Sequence, residues 1–147
     1  MKVIIQNQSS VRVPKAFIED VVQSCSKLLK AKHKLRSSDE LTIVFLNTGP
    51  ARKLNWKFRG RDYATDILSF ESMGEGSFGE FVMCPQVLAV QAKQHGWAFK
   101  FECGLMIIHG ILHLLGYDHV KSKKEASKMY ALQSRLVEKI LKKKLQW

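Results

Sequence analysis

The sequence predicts an α/β fold of the α+β kind, one domain over residues 1–147 with a mixed sheet of about four strands and about five helices. Three observations predict it. Every short, β-branched, strand-like run falls before residue 85, and from Pro85 onward the apolar residues recur at helical spacing. A chain of 147 residues with 46% hydrophobic content supplies one core and is too short for two ordinary domains.

The first strand is Val3 to Asn7. Pro14 suits the first turn of a helix, and Phe17, Ile18, Val21, Val22, Cys25, Leu28 and Leu29 form one apolar stripe along it. After the polar break Arg36-Ser37-Ser38-Asp39, the run Leu41 to Leu46 is apolar and β-branched, as a central strand covered on both faces would be. Asn47 or Thr48 can cap a short helix over 49–57, which delivers Arg59 in the following loop. Thr65 to Phe70 and Glu80 to Cys84 read as two strands of a hairpin around the glycine-rich stretch 72–79. That stretch lacks the Gly-Lys-Ser/Thr ending of a phosphate-binding loop. Three helices follow: one opened by Pro85 and ended by Gly96, one from Phe99 to Leu115, and one from Ser122 to Leu145 with Met129, Leu132, Leu136, Val137 and Ile140 as its stripe. No internal repeat or linker interrupts them.

The second late helix carries the chemistry. Residues 109–119 read His-Gly-Ile-Leu-His-Leu-Leu-Gly-Tyr-Asp-His and hold three of the five histidines. His109 and His113, four apart, stand on one helix face with Cβ atoms roughly 6 Å apart, close enough to chelate one ion. Gly116 can stop the helix in a left-handed conformation and turn the chain so that His119 supplies a third nitrogen. Three imidazoles suit zinc, one ion per chain, and leave a fourth position for water or substrate. The site therefore sits at the end of a buried helix, with Leu105, Ile108, Leu112 and Leu115 packed around it. A single histidine on an apolar face is ordinarily just a satisfied polar group; three at ligand spacing around a helix-stopping glycine are not. The spacing is that of the metzincin signature, but Gly110 stands where those peptidases carry their glutamate base, which disfavours peptide hydrolysis.

Charge limits the partners. The net charge is +11, clustered in residues 27–36 and 52–61, each with five bases and no acid, and in 121–144, with nine bases against Glu125 and Glu138. Such runs are often only solvated faces, yet a small domain this basic favours a polyanion, and nucleic-acid backbone above anionic membrane. No apolar run approaches the ~20 residues a membrane helix needs, and the apolar start is too short for a signal peptide, so a cytoplasmic location is expected. Cys25, Cys84 and Cys103 are odd in number and set in apolar surroundings, as reduced core cysteines would be.

The run His109-Gly-x-Leu-His-Leu-x-Gly-Tyr-Asp-His119 resembles the signature of the YbeY family, bacterial metal-dependent endoribonucleases of ribosomal RNA maturation. Leu54-Asn55-x-x-Phe58-Arg59-Gly60-x-Asp62-x-x-Thr65-Asp66-Ile67-Leu68-Ser69-Phe70 is similar to its other motif, and Gly79-Glu80-Phe81-Val82 sits where it usually has Gly-Asp before a short strand. The blocks match in order and separation over essentially the whole chain. Ala64 departs from a common proline, Glu80 from aspartate, and Leu105 from a histidine that some members carry; none removes a ligand.

The resemblance implies a single-strand-specific endoribonuclease acting on the 3′ end of the small-subunit ribosomal RNA and on defective ribosomes. Its partners would be ribosomal RNA and the small subunit, with ribosomal proteins and an Era-like GTPase as further candidates. It also implies that Arg59, otherwise one surface arginine among many, is catalytic, gripping a phosphate at the metal's open position. Asp66, Glu80 and Asp118 remain candidates for the general base; for Asp118, and likewise Asp66, the favoured role is to accept the second N–H of a metal-bound imidazole. The alternative function is a metal-stabilised ribosome assembly factor with little intrinsic nuclease activity. Single-strand recognition would rest on backbone charge and on rings such as Trp56, Phe58 and Tyr63.

Overall fold

The computed structural model describes residues 1–33, 35–72 and 74–145; Lys34 of the first basic cluster and Met73 of the glycine-rich loop lie outside it. Nine elements follow in order: β1 (Lys2–Asn7), α1 (Lys15–His33), β2 (Glu40–Phe45), α2 (Thr48–Arg59), β3 (Ile67–Glu71), β4 (Ser77–Met83), α3 (Pro85–His95), α4 (Phe99–Leu114) and α5 (Lys123–Leu141). They form the expected mixed sheet of four strands with five helices, in strand order β1-β2-β4-β3. β1, β2 and β4 run parallel, the first pair joined by the crossover helix that parallel strands require. β3 and β4 form the antiparallel hairpin, with Ile67 opposite Met83 and Phe70 opposite Glu80.

β2 is central, as its composition predicted, but β4 is interior as well. Alternation of side chains divides their residues between two layers. Leu41, Ile43, Phe45, Phe81 and Met83 enter the main core with Ile18, Val21 and Val22 of α1 and Ile107, Ile108, Ile111 and Leu112 of α4. Val44, Leu68 and Val82 form a smaller cluster with Leu54 of α2. Two glycines make the close approach of α4 possible. A Cβ on Gly110 would lie 2.7 Å from the Phe81 ring and 3.0 Å from Ile67, and one on Gly79 would lie 2.6 Å from Leu114.

Several boundaries differ from expectation, each for a local reason. α2 extends to Arg59 and stops at Gly60, which takes the left-handed conformation at φ 66° and donates to the Trp56 carbonyl; Arg59 thus closes the helix instead of lying in the loop after it. Asn47 occupies the N-cap position without capping, because its side-chain oxygen accepts from Ser10 and Gln86. β4 starts at Ser77, its register against β2 shifting by one residue where Glu40 pairs Ser77 and Leu41 pairs Gly79. α5 ends at Leu141, where Lys142 turns left-handed at φ 58°.

Candidate metal centre

α4 is buried along most of its length, from Glu102 to Leu112, so its last turns are fixed by the core before any ligand is considered. The helix ends in paired bonds, Tyr117 N–H to the Leu112 carbonyl and Gly116 N–H to the His113 carbonyl, with Gly116 at φ 98°. This is the Schellman geometry a glycine permits, and it brings the following segment back over the helix end. Asp118 then accepts from the Val120 N–H at 2.8 Å, folding the turn that carries His119.

The three imidazoles converge. Ligand atoms of His109, His113 and His119 all lie within 4.8 Å of one another. The Nε2 atoms of His109 and His113 are 3.0 Å apart, and the ring of His119 lies 5.6 and 5.1 Å from theirs. On the far side of the His109 ring, Nδ1 is 2.7 Å from Oε1 of Gln133, a buried residue of α5. An amide oxygen can only accept, so the ring proton sits on Nδ1 and the Nε2 lone pair points toward His113. Burial depresses the pKa of His113 to about 4, helped by His109 and His119 and by the charge of Arg59. Burial likewise lowers that of His109, against the bond to Gln133. Both rings are neutral at pH 7, the form a cation needs, and the buried Nδ1 of His119 has no hydrogen-bond partner among the described residues. This donor set fits a zinc ion.

The other expected residues are placed unequally. Arg59 makes no hydrogen bond or ion pair among the described residues, whereas Arg52 forks onto Asp62 at 2.7 and 2.9 Å and Arg61 donates to the Tyr63 hydroxyl. Its charge is nevertheless felt at His113. Asp66 accepts from the Ile67 N–H and from Gln91, and it lines a cavity of about 650 Å³ together with His109. Glu80 is exposed on the strand face opposite that of Phe81, which packs on α4, so the sheet does not bring it to the histidines. Asp118 lines a smaller cavity of about 300 Å³ beside His113. The partner of the His109 ring is Gln133, an amide and not a carboxylate. Gly110 has no room for a side chain, which leaves no place for a metzincin-type glutamate.

Two residues of this region escaped the sequence, and a third, Lys144, was read only as part of a basic run. Gln133 sits four residues from both Met129 and Val137, a polar residue inside an apolar stripe, and that interruption was its signal. Glu102 is fully buried in the first turns of α4, with Oε2 2.7 Å from Nδ1 of His95 and Oε1 without a hydrogen-bond partner among the described residues. Burial raises its pKa, against the bond to His95. Lys144, distant in sequence, lines the same cavity as His95 and His109.

Comparison with known proteins agrees with this geometry. The family described as Endoribonuclease YbeY matches residues 3–141. The Endoribonuclease YbeY of Bdellovibrio bacteriovorus is 48% identical over 146 residues, covering 97% of each chain, and that of Thermotoga petrophila is 32% identical over 124 residues, covering 84% of this chain and 81% of its own. The solution structure of TM1509 from Thermotoga maritima superposes with a TM-score of 0.66 at 28% identity, covering 94% of this chain and 88% of that one. With the family matched from the first strand to the last helix and the histidine cluster assembled on that fold, the chain belongs to the YbeY family.

Proposed function

We propose that the protein is a zinc-dependent endoribonuclease that hydrolyses phosphodiester bonds in single-stranded RNA. The observation that carries this reading is the convergence of three imidazoles, two on a buried helix and the third on the turn after it, within electrostatic reach of an arginine that makes no hydrogen bond or ion pair among the described residues. His109, His113 and His119 would hold the ion, and Gln133 fixes the tautomer of the first. A zinc ion bound there supplies Lewis-acid charge to a phosphate oxygen and lowers the pKa of water. Arg59 grips the phosphate and offsets the negative charge added as a water oxygen bonds to phosphorus and one ester oxygen leaves. Asp66, which lines the cavity beside His109, or Asp118, beside His113, would accept the proton of the attacking water.

The substrate proposed is ribosomal RNA, at the 3′ end of the small-subunit RNA and in defective ribosomes, with the small subunit and its proteins, and an Era-like GTPase, as partners. The net charge of +11 supports a polyanionic partner, and no helix of the described residues is long and apolar enough to cross a membrane. The test is cleavage of precursor small-subunit RNA by the zinc-loaded wild type and by His113→Ala, each confirmed folded by its melting curve. Wild-type cleavage abolished in the variant, with about one zinc per wild-type chain, is the expected result. RNA binding without cleavage by the zinc-loaded wild type favours the assembly-factor alternative.

A further inference from the structure

Among the described residues, the exposed aromatic side chains are Trp56, Phe58 and Tyr63, and they lie within eight residues of one another on α2 and the loop after it. Leaving a ring in water forgoes the burial that normally stabilises it, and clustered exposed rings mark a contact surface. Phe58 is partly used by the fold, its ring 5.1 Å edge-to-face from Phe70 of β3. Trp56, 61% exposed, stacks on no ring of the described residues.

The surroundings say what the surface takes. Arg52, Trp56 and Arg59 fall at i, i+4 and i+7 of α2, one stripe of cation, ring and cation, and Lys53, Lys57 and Arg61 flank it. Tyr63 is held beside the helix. Its carbonyl accepts from Nδ2 of the fully buried Asn55 at 2.7 Å, its hydroxyl accepts from Arg61 at 3.0 Å, and the intervening Asp62 is clamped by Arg52. The loop is thus fixed before any ligand arrives, which lowers the ordering cost of binding. A protein-docking face has a core depleted of charge, and this one interleaves every ring with a base. Rings within a cationic frame match single-stranded nucleic acid, whose bases stack on the rings while its phosphates meet the cations.

We infer that Trp56 and Tyr63 form a stacking platform for unpaired bases next to the phosphate held by Arg59. The inference rests on the proposed RNA cleavage and assigns the residues that give it its preference for single strands. Bases inside a duplex are stacked on each other and cannot lie on a side-chain ring, so the platform contributes nothing to a paired substrate.

The experiment uses the zinc-loaded full chain as wild type, Trp56→Ala, Trp56→Phe and Tyr63→Ala, with melting curves confirming that each is folded. Binding to unstructured oligouridine and to a blunt RNA duplex is measured by anisotropy, alongside tryptophan fluorescence. Trp56→Ala should weaken oligouridine binding about tenfold, while duplex affinity stays unchanged and Trp56→Phe retains most of the binding. RNA should quench the wild type, and Trp56→Phe should lose the share of that quenching that Trp56 contributes, leaving only that of the other tryptophans. In cleavage assays the loss should appear in KM more than in kcat. Oligouridine binding by Trp56→Ala at wild-type strength, or an equal loss on the duplex, overturns the platform and leaves the rings to a protein partner. If the wild type cleaves no RNA while Trp56→Ala still loses single-strand affinity, the platform stands and the cleavage reading falls.

Discussion

Oε1 of Gln133 accepts the Nδ1 proton of His109 across 2.7 Å, tying α5 to the ring that faces the other two histidines. The bond sets which nitrogen is free to bind a cation. Gln133→Leu keeps the apolar stripe of α5 and removes the acceptor, so zinc affinity should fall about 10–100-fold, as for other partners of ligating imidazoles. Competition titration with a chelator measures this; unchanged affinity would mean the ring is oriented by packing alone.

Gly110 tests the contact between the metal helix and the sheet. An alanine at this helical position gains about 1 kcal/mol of propensity. Its Cβ would press on Phe81 and Ile67 inside 3.0 Å, or at it, and crowding a packed core costs about 1–3 kcal/mol. Gly110→Ala should therefore melt below the wild type in thermal denaturation, and Gly110→Glu lower still, with no peptidase activity appearing.

Arg59→Lys separates positioning charge from catalytic charge. Lysine keeps the charge and loses the planar fork that spans two phosphate oxygens. Single-turnover cleavage at saturating RNA should drop about 100-fold or more, the usual cost of losing one preorganised donor to developing charge, while RNA affinity falls far less. Zinc content should not change. Equal losses of rate and affinity would reduce Arg59 to one more surface cation.

Glu102 gives the stability a pH dependence of unusual sign for a carboxylate. Burial raises its pKa above the ordinary 4.5, so over that window the folded state holds a proton that the unfolded chain has released. Stability is then fully present below about pH 4.5 and declines as pH rises through the raised value. Glu102→Gln keeps an acceptor for His95 and cannot ionise. It should melt above the wild type near pH 8, with the gap closing toward pH 4; a gap constant across that range would show that ionisation is not its cause.

Local pattern made most of the fold legible. β2 and the hairpin followed from β-branched runs and a glycine-rich interval, and His109, His113 and His119 from a helix-and-glycine spacing that works over eleven residues. Contacts between distant segments were not legible. Gln133 reaches His109 only because α5 packs on α4, and Lys144 reaches the same cavity only because the chain beyond Leu141 turns back. Arg59 was misplaced by a smaller margin, since α2 runs past the expected end at residue 57 as far as Arg59, before Gly60 stops it. That Glu80 points away from the histidines depended on the strand's register, which alternation alone does not fix.

The tie between α4 and α5 also orders events during synthesis. All three candidate ligands are contributed by residues 109–119, yet the acceptor that sets the proton on the first of them lies later, at residue 133. A chain halted after His119 has every nitrogen and no fixed tautomer. For an ion held by these nitrogens, the full grip would form only after the last long helix has emerged and folded back, so tight loading would mark a chain whose folding is nearly complete.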